Sequence, residues 1–230
     1  KKVVAYHEAG HASISWLLEH AHPLVKVTIV PRGKSLGAAW YLPEERQLTT
    51  FEQMVDEMTS ALGGRAAEQV VFGKVSTGAL NDLEKVTKQA FAMVAYYGFS
   101  KEIGNISFFD STGAQDYAFS KPFSEKTNEI IDREVKILVE NAYVNAIKIL
   151  EENRAGLDKL AQKLLEKEVI FSDDLEAIFG KRPWGEPLSL LTELKPEVVA
   201  EEDIKMPEEQ ANGAIKSGTA AEKKNRCRSR

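Results

Sequence analysis

The sequence is poor in cysteine: among its 230 residues the only one is Cys227, in the terminal stretch KKNRCRSR. One cysteine cannot form an intramolecular disulfide, so a disulfide framework is excluded and a reducing compartment is the default expectation. The sequence also lacks an excess of positive charge, because its formal net charge is -5 at pH 7. An acidic chain argues against a broad nucleic-acid-binding surface, and we expect no nucleic acid partner.

Long apolar segments are missing as well. No apolar run approaches the roughly 20 residues that a membrane-spanning helix needs, and residues 1–20 lack the cleavage pattern of a signal peptide. We therefore expect this fragment to be soluble. Because the sequence starts without Met and enters a helical pattern at once, we also expect it to derive from a longer protein.

The sequence does contain abundant apolar residues, most of them at helical spacing. Hydrophobic residues make up 43% of the chain, which is enough for one substantial core. The pair Gly63–Gly64 falls inside one helical pattern, where it favours close packing or a break. The segments with a helical period are 2–19, 48–73, 76–98, 124–153, 154–170 and 172–180.

Two short segments, 25–31 and 36–43, have the composition of strands. The first, VKVTIVP, alternates apolar and polar residues, and the second, LGAAWYLP, follows the turn sequence RGKS. We predict a β-hairpin that must pack on helices or join another strand, because a two-stranded ribbon alone is marginally stable. The expected fold class is mainly α with a small β-hairpin or β-sheet element.

The composition changes near residue 184. From there to residue 230 the chain has scattered prolines, few aromatic residues and no sustained period, which is typical of a disordered tail. We therefore predict a folded domain over 1–183 and a disordered C-terminal tail over 184–230.

The motif with the clearest chemistry is HEAGH, within the apolar stretch VVAYHEAGHASISWLL. Residues four apart on a helix differ by about 40° in direction and about 6 Å in height, so His7 and His11 project side by side. Such a pair suits Zn²⁺, and in H-E-x-x-H metalloproteases the glutamate, here Glu8, is the general base for a water activated by the metal. The alternative is that all three are ordinary residues at the core's edge, but burying them without a partner of opposite charge is costly.

A catalytic zinc needs a third protein ligand. The metzincin extension is absent, because Ile14 and Leu17 stand where that motif has glycine and histidine. His20 falls about 180° round the helix from His11, and we expect both His20 and His22 near the C-terminal end of the helix.

Two acids compete for the role of third ligand. Glu68 in GRAAEQ and Asp82 in TGALNDLEK both flank an apolar stripe, from which a side chain can reach a site at the core's edge. Each also has an ordinary explanation: Glu68 can be an exposed helix acid near Arg65, and Asp82 an acid that complements the helix dipole. Helix geometry and charge alone do not decide between Glu68 and Asp82.

The ordered motifs HEAGH, GGRAAE and STGALNDLEKVTKQAFAMVAYYGFS resemble the peptidase domain of the FtsH family, the membrane-anchored AAA+ zinc metalloproteases of bacteria, mitochondria and chloroplasts. The resemblance covers about residues 1–183 and implies a mostly helical zinc endopeptidase domain. It also implies that the aspartate of the ND pair, Asp82, is the third zinc ligand. Glu68 then becomes a candidate for orienting a histidine ring.

The resemblance also implies properties of a longer protein. An ATPase module and a transmembrane anchor would lie before Lys1, so ATP would be required by the full-length protein but not bound by this chain. The full-length protein would form a homo-hexamer on the cytoplasmic side of the bacterial inner membrane and degrade unfolded polypeptides.

The segment GAAWYL (37–42) is a candidate for substrate binding. As an edge strand it could pair with an extended polypeptide by β-augmentation, or it could simply be covered by a helix. Two other functions stay open: an amidase on the same metal scaffold, and a non-catalytic helical assembly module that keeps zinc for stability.

Overall fold

The computed structural model describes residues 1–31, 37–41, 48–109 and 122–184. Within these ranges it confirms a mainly α fold with a small sheet. The predicted turn RGKS and the predicted tail after Trp184 lie outside the described residues. The helices are α1 (Lys2–Leu17), α2 (Phe51–Ala61), α3 (Gly63–Phe72), α4 (Leu80–Ala95), α5 (Glu125–Glu152), α6 (Arg154–Lys167) and α7 (Ser172–Phe179), with one 3₁₀ turn at Thr77–Ala79. The strands are β1 (Leu24–Thr28), β2 (Ala38–Tyr41) and β3 (Val169–Phe171).

The predicted long helix over 48–73 is divided at Leu62 into α2 and α3. At its start Thr50 and Gln53 form a capping box, in which each side chain bonds to the backbone of the other. At its end Gly73 adopts a left-handed conformation with φ 64°, which a glycine tolerates without a steric penalty. The break just before Gly63 lets α3 leave the direction of α2 and cross α1.

Helix α1 is buried on nearly all sides, which explains why the HEAGH segment is apolar throughout. Its buried residues include Ala5, Ala9, Ala12 and Trp16. Gly10 lies directly against α3, where a Cβ atom would overlap the carbonyl of Gly63. The crossing of α1 and α3 therefore depends on the absence of side chains at the point of contact.

The sheet has the strand order β2-β1-β3 and is antiparallel throughout. Lys26 of β1 faces Trp40 of β2 on one side and Phe171 of β3 on the other. Strand β3 corrects the prediction that 154–170 is one helix: α6 ends at Lys167, and Glu168 turns the chain at φ 62°. The pairing with β1 gives the predicted hairpin the third strand that it needs for stability.

Helix α5 joins two parts of the core. Ala146 and Leu150 belong to a cluster that includes α1, α3, α6 and the sheet. One turn earlier, Ala142 belongs to a second cluster with residues of α2 and α4. Because α1 is fixed in the first cluster and α4 in the second, α5 sets the position of one relative to the other.

Replacing Gly10 with alanine tests the close crossing of α1 and α3. On helix propensity alone this change would stabilise the chain by about 1 kcal/mol. We expect instead a loss of about 1–3 kcal/mol in the free energy of unfolding, because the new methyl would meet Ala67 Cβ at 2.6 Å and overlap the carbonyl of Gly63. Urea unfolding followed by circular dichroism measures the difference, and a more stable variant would contradict the crossing described above.

Candidate metal centre

Three side chains from two helices converge on one point. His7 and His11 project from α1 with their Nε2 atoms 3.2 Å apart. Asp82 reaches the same point from the first turn of α4, with Oδ2 at 3.5 Å from Nε2 of His7 and 3.6 Å from Nε2 of His11. Both histidines are 8% exposed, so the cluster lies at the inner end of a cleft and not on the open surface.

The opposite ring nitrogens fix the tautomers of the two histidines. Nδ1 of His7 lies 2.8 Å from Oε1 of Glu68, and Nδ1 of His11 lies 2.9 Å from the backbone oxygen of Ser60. A carboxylate or a carbonyl only accepts hydrogen bonds, so each Nδ1 must carry the proton. In the neutral rings both Nε2 atoms then present lone pairs to each other and to the Asp82 carboxylate.

This arrangement fits a divalent cation. Three acceptor atoms within 4.8 Å of one another repel unless a positive charge lies between them. A tetrahedral zinc ion with bonds of about 2.0–2.1 Å separates its ligand atoms by about 3.3 Å, close to the separations found here. Two imidazole nitrogens and one carboxylate oxygen are also a ligand set typical of catalytic zinc, with one position left for water.

The sequence offers two acids, Glu68 and Asp82, as candidates for the third ligand. The structure brings Asp82 to the Nε2 atoms and places Glu68 behind His7. Glu68 is 2% exposed and accepts hydrogen bonds from the backbone nitrogen of Ser76 at 2.5 Å and from its hydroxyl at 2.9 Å. Its carboxylate is thus anchored by Ser76 while it holds the Nδ1–H of His7. A contact of this kind fixes the ring's orientation and makes Nε2 a better ligand.

Glu8 lies beside the histidines and faces the cleft. It is 8% exposed, and this burial raises the pKa of its carboxyl, although His11 and His7 act in the opposite direction. The backbone at Gly37 passes so close that a Cβ there would lie 2.5 Å from Oε1 of Glu8. A glycine at this position therefore leaves the Glu8 carboxylate free to face the cleft.

The contact between Asp82 and His11 shifts the pKa of both of these groups. Burial alone would raise the pKa of Asp82, but hydrogen bonds and charge interactions with His11 and His7 outweigh it and hold that pKa well below its usual range. Burial alone would lower the pKa of His11, and the Asp82 carboxylate reverses this, so that the pKa is raised. Both shifts have the same cause, which is the attraction between a protonated ring and the Asp82 carboxylate, and they keep that carboxyl group ionised.

A cleft of about 280 Å³ opens in front of the cluster. Its walls come from α1, the turn after α1, the start and body of β2, α2, and the first turns of α4. Besides the three converging residues and Glu8, the lining residues are Ala21, His22, Gly37, Ala38, Ala39, Tyr41, Glu57, Ser60, Ala61, Gly78, Asn81 and Lys85.

Several of these residues were not predicted from the sequence. His22 does follow the end of α1, as predicted, but it also lines the cleft, with Nε2 at 3.2 Å from Oε1 of Glu57. Ser60 accepts the hydrogen bond from His11 through its backbone oxygen. Every residue type has this atom, so the sequence gives no indication of the contact. Lys85 could have been found, because it lies three residues after Asp82 and therefore on the same helix face.

Two imidazoles and a carboxylate around one point, a buried glutamate beside them and a cleft in front are the arrangement typical of HExxH metallohydrolases. Comparison with known proteins gives the particular family. The model of peptidase family M41 matches residues 1–178, and the chain belongs to this family.

The chain is similar to proteins from bacteria, plants and animals. It is 64% identical over 184 residues to an ATP-dependent zinc metalloprotease FtsH of Parabacteroides distasonis, covering 80% of this chain and 27% of that protein. It is 54% identical over 185 residues to the mitochondrial ATP-dependent zinc metalloprotease FTSH 3 of Arabidopsis thaliana, covering 80% and 23%. It is 46% identical over 208 residues to the mitochondrial inner membrane m-AAA protease component AFG3L2 of Mus musculus, covering 90% and 26%.

The chain spans about a quarter of the length of these relatives. Among the residues that the structure describes, no helix combines the length and apolar character needed to cross a bilayer.

Replacing Gly64 with alanine tests the geometry of the metal centre. Gly64, the second residue of α3, lies directly over the rings, where a Cβ atom would overlap Nε2 of His7 and lie 2.6 Å from Nε2 of His11. We expect zinc affinity to fall by more than about tenfold, because the methyl occupies the side of the rings that faces the ion. Titration against a competing chromogenic chelator measures the change.

Gly78→Ala is the matched control for this experiment. Gly78 lines the same cleft, but a Cβ there would meet Ser76 Oγ at 3.2 Å and His7 Cε1 only at 3.9 Å. We expect this variant to retain zinc. Equal zinc affinity in the Gly64→Ala variant and the wild type would contradict the placement of the ion at the Nε2 atoms.

Proposed function

We propose that this chain is the zinc-dependent endopeptidase part of an ATP-dependent protease and hydrolyses peptide bonds in unfolded polypeptides. The observation that carries the proposal is the convergence of His7, His11 and Asp82 beside Glu8 at the inner end of an open cleft. His7, His11 and Asp82 are the residues that would hold Zn²⁺. Membership of peptidase family M41 supports the same reaction class.

Glu8 is proposed as the general base. When bound, zinc lowers the pKa of a coordinated water and polarises the carbonyl of the scissile bond. The Glu8 carboxylate faces the cleft one residue after His7, where it can take a proton from the attacking water. The water oxygen bonds to the carbonyl carbon of the scissile bond, the same carboxyl group returns the proton to the leaving amine, and the C–N bond breaks.

Strand β2 is proposed to bind the substrate backbone. It lies at one end of the strand order, and Ala38, Ala39 and Tyr41 line the cleft. An extended polypeptide that pairs with this edge would pass in front of Glu8, because β2 follows directly after Gly37. A folded protein cannot present its backbone in this way, which favours unfolded substrates.

The properties of the longer protein are proposed from the relatives. The names of the bacterial and plant relatives state ATP dependence, and that of the mouse relative states a mitochondrial inner membrane location. We propose that an ATPase module in the same polypeptide delivers substrates, that the assembled protein is a homo-hexamer, and that it acts at the cytoplasmic side of a bacterial inner membrane. Within this chain, 1–183 would be the peptidase domain and 184–230 a tail.

Replacing Glu8 with glutamine tests the proposed base. Glutamine has nearly the same shape but cannot accept the proton, so we expect peptide cleavage to fall by at least about 10²-fold while zinc content stays at that of the wild type. The measurement combines a fluorogenic unstructured peptide with metal analysis of the same sample. Glu84→Gln is the matched control, since Glu84 is exposed on α4 and pairs with Lys88.

The same assay separates the rival functions. Cleavage of small amides but of no peptide would favour an amidase. A domain that unfolds without zinc, yet shows no hydrolysis that depends on Glu8, would favour a structural role for the metal.

Replacing Glu68 with glutamine tests the support of His7. The side-chain amide has one acceptor oxygen, so it cannot keep the hydrogen bonds from His7 Nδ1, Ser76 N and Ser76 Oγ together. We expect zinc affinity to fall by about 10–100-fold, with cleavage restored at saturating zinc. Chelator competition measures the affinity, and a value equal to that of the wild type would show that Glu68 does not orient the ring.

A further inference from the structure

The segment after α7 returns to the end of the helix that carries the histidines. We call residues 180–184 the strap. Trp184 donates from Nε1 to the backbone oxygen of Leu17 at 3.0 Å, and Trp16 donates from Nε1 to the backbone oxygen of Gly180 at 3.1 Å. The strap is thus tied to α1 at both of its ends, and it lies beyond the 1–178 matched by the family model.

Arg182 is the central contact of the strap. It is 8% exposed, and its Nη2 atom lies 3.0, 3.3 and 2.6 Å from the backbone oxygens of Leu18, Glu19 and Ala21. The carbonyls at the end of a helix have no partner within the helix and favour a positive charge. Helix α1 has no basic residue in its own last turn, so the guanidinium of Arg182 supplies this charge from a distant part of the chain.

The turn held by Arg182 leads into the wall of the cleft. Ala21 and His22 line the cleft directly. The backbone oxygen of His22 accepts a hydrogen bond from Ser15 Oγ at 2.7 Å, and the backbone nitrogen of His20 donates to Asp56 Oδ2 at 3.1 Å. Arg182 therefore fixes the first half of a turn whose second half forms part of the substrate-binding surface.

We propose that Arg182 is a positioning residue for substrate selection, acting through the cleft wall formed by Ala21 and His22. The inference rests on the proposed function, because it assumes that the cleft binds a polypeptide. Ala21 and Ala61 give this part of the cleft a small apolar surface, with the His22–Glu57 pair beside it. A substrate side chain placed there would be apolar, and its fit would depend on where the turn holds Ala21.

The test compares peptides that differ in one side chain next to the scissile bond, glycine in one and leucine in the other. We expect Arg182→Ala in the full 230-residue chain loaded with Zn²⁺ to lower the leucine-over-glycine ratio of kcat/KM by about tenfold, mainly through KM for the leucine peptide. Zinc content should not change. Because both peptides are measured on one preparation, partial unfolding of the variant cancels from the ratio.

Three further variants separate positioning from a general loss of stability. Arg182→Lys should recover most of the ratio, because an ammonium group can donate to the same carbonyls. Trp184→Phe removes the hydrogen bond to the backbone oxygen of Leu17, which lies before the residues that Arg182 contacts. This variant should leave the leucine-over-glycine ratio unchanged. In a His22→Ala background, adding Arg182→Ala should change the ratio little, because both substitutions act on one wall.

Binding in the absence of cleavage supplies a second readout. In Glu8→Gln chains, fluorescence anisotropy with the same peptides should show the loss of leucine preference when Arg182→Ala is added. An unchanged preference in both assays, or equal losses for both peptides, would overturn the role of Arg182. A chain that cleaves neither peptide, but binds them with a leucine preference that Arg182→Ala removes, would contradict the proposed function and support the role of Arg182.

Discussion

The candidate site depends on the convergence of three acceptor atoms, which the fold holds together although they repel one another when both rings are neutral. The Nε2 lone pairs of His7 and His11 face each other at 3.2 Å, with the Asp82 carboxylate beside them. Neither ring can relieve this by exchanging its tautomer, because Glu68 and the Ser60 carbonyl both require a proton on Nδ1. A cation between the three atoms would remove this repulsion, and the packing around α1 holds them at the spacing that such an ion needs.

Glycines at the contact between α1 and α3 make the convergence of the three side chains possible. Gly10 lets α3 approach the back of α1, and Gly64 brings the start of α3 over the imidazole rings without covering the nitrogens. Close approach also brings Glu68 and Ser60 within hydrogen-bond distance of His7 and His11, because both belong to the α2–α3 region. The close packing of α3 on α1 therefore also sets the orientation of the His7 and His11 rings.

The sequence predicts those parts of the site and fold that depend on local spacing. The i, i+4 histidines and the capped helices follow from helical geometry, and Asp82 follows only once the resemblance of the ordered motifs is used. Strand β3 could not be predicted, since its three residues become a strand only by pairing with β1, after a left-handed turn at Glu168. Ser60 contacts His11 through a backbone oxygen, which any residue type would supply, so its role could not be predicted. The contacts of Arg182 could not be predicted either, because they join positions more than 160 residues apart.

The two sides of the cleft depend on different parts of the chain. The side at His7, His11 and Asp82 is fixed by the crossing of α1 and α3 and by α4, which α5 holds against α2. The opposite wall at Ala21 and His22 depends on a turn that belongs to no helix or strand and is held by side chains from the strap, α1 and α2. A turn held by a few hydrogen bonds can shift by fractions of an ångström at much smaller cost than a helix crossing without side chains at its contact. If the cleft binds substrate as proposed, changes in substrate preference can therefore arise at this wall while His7, His11 and Asp82 stay fixed.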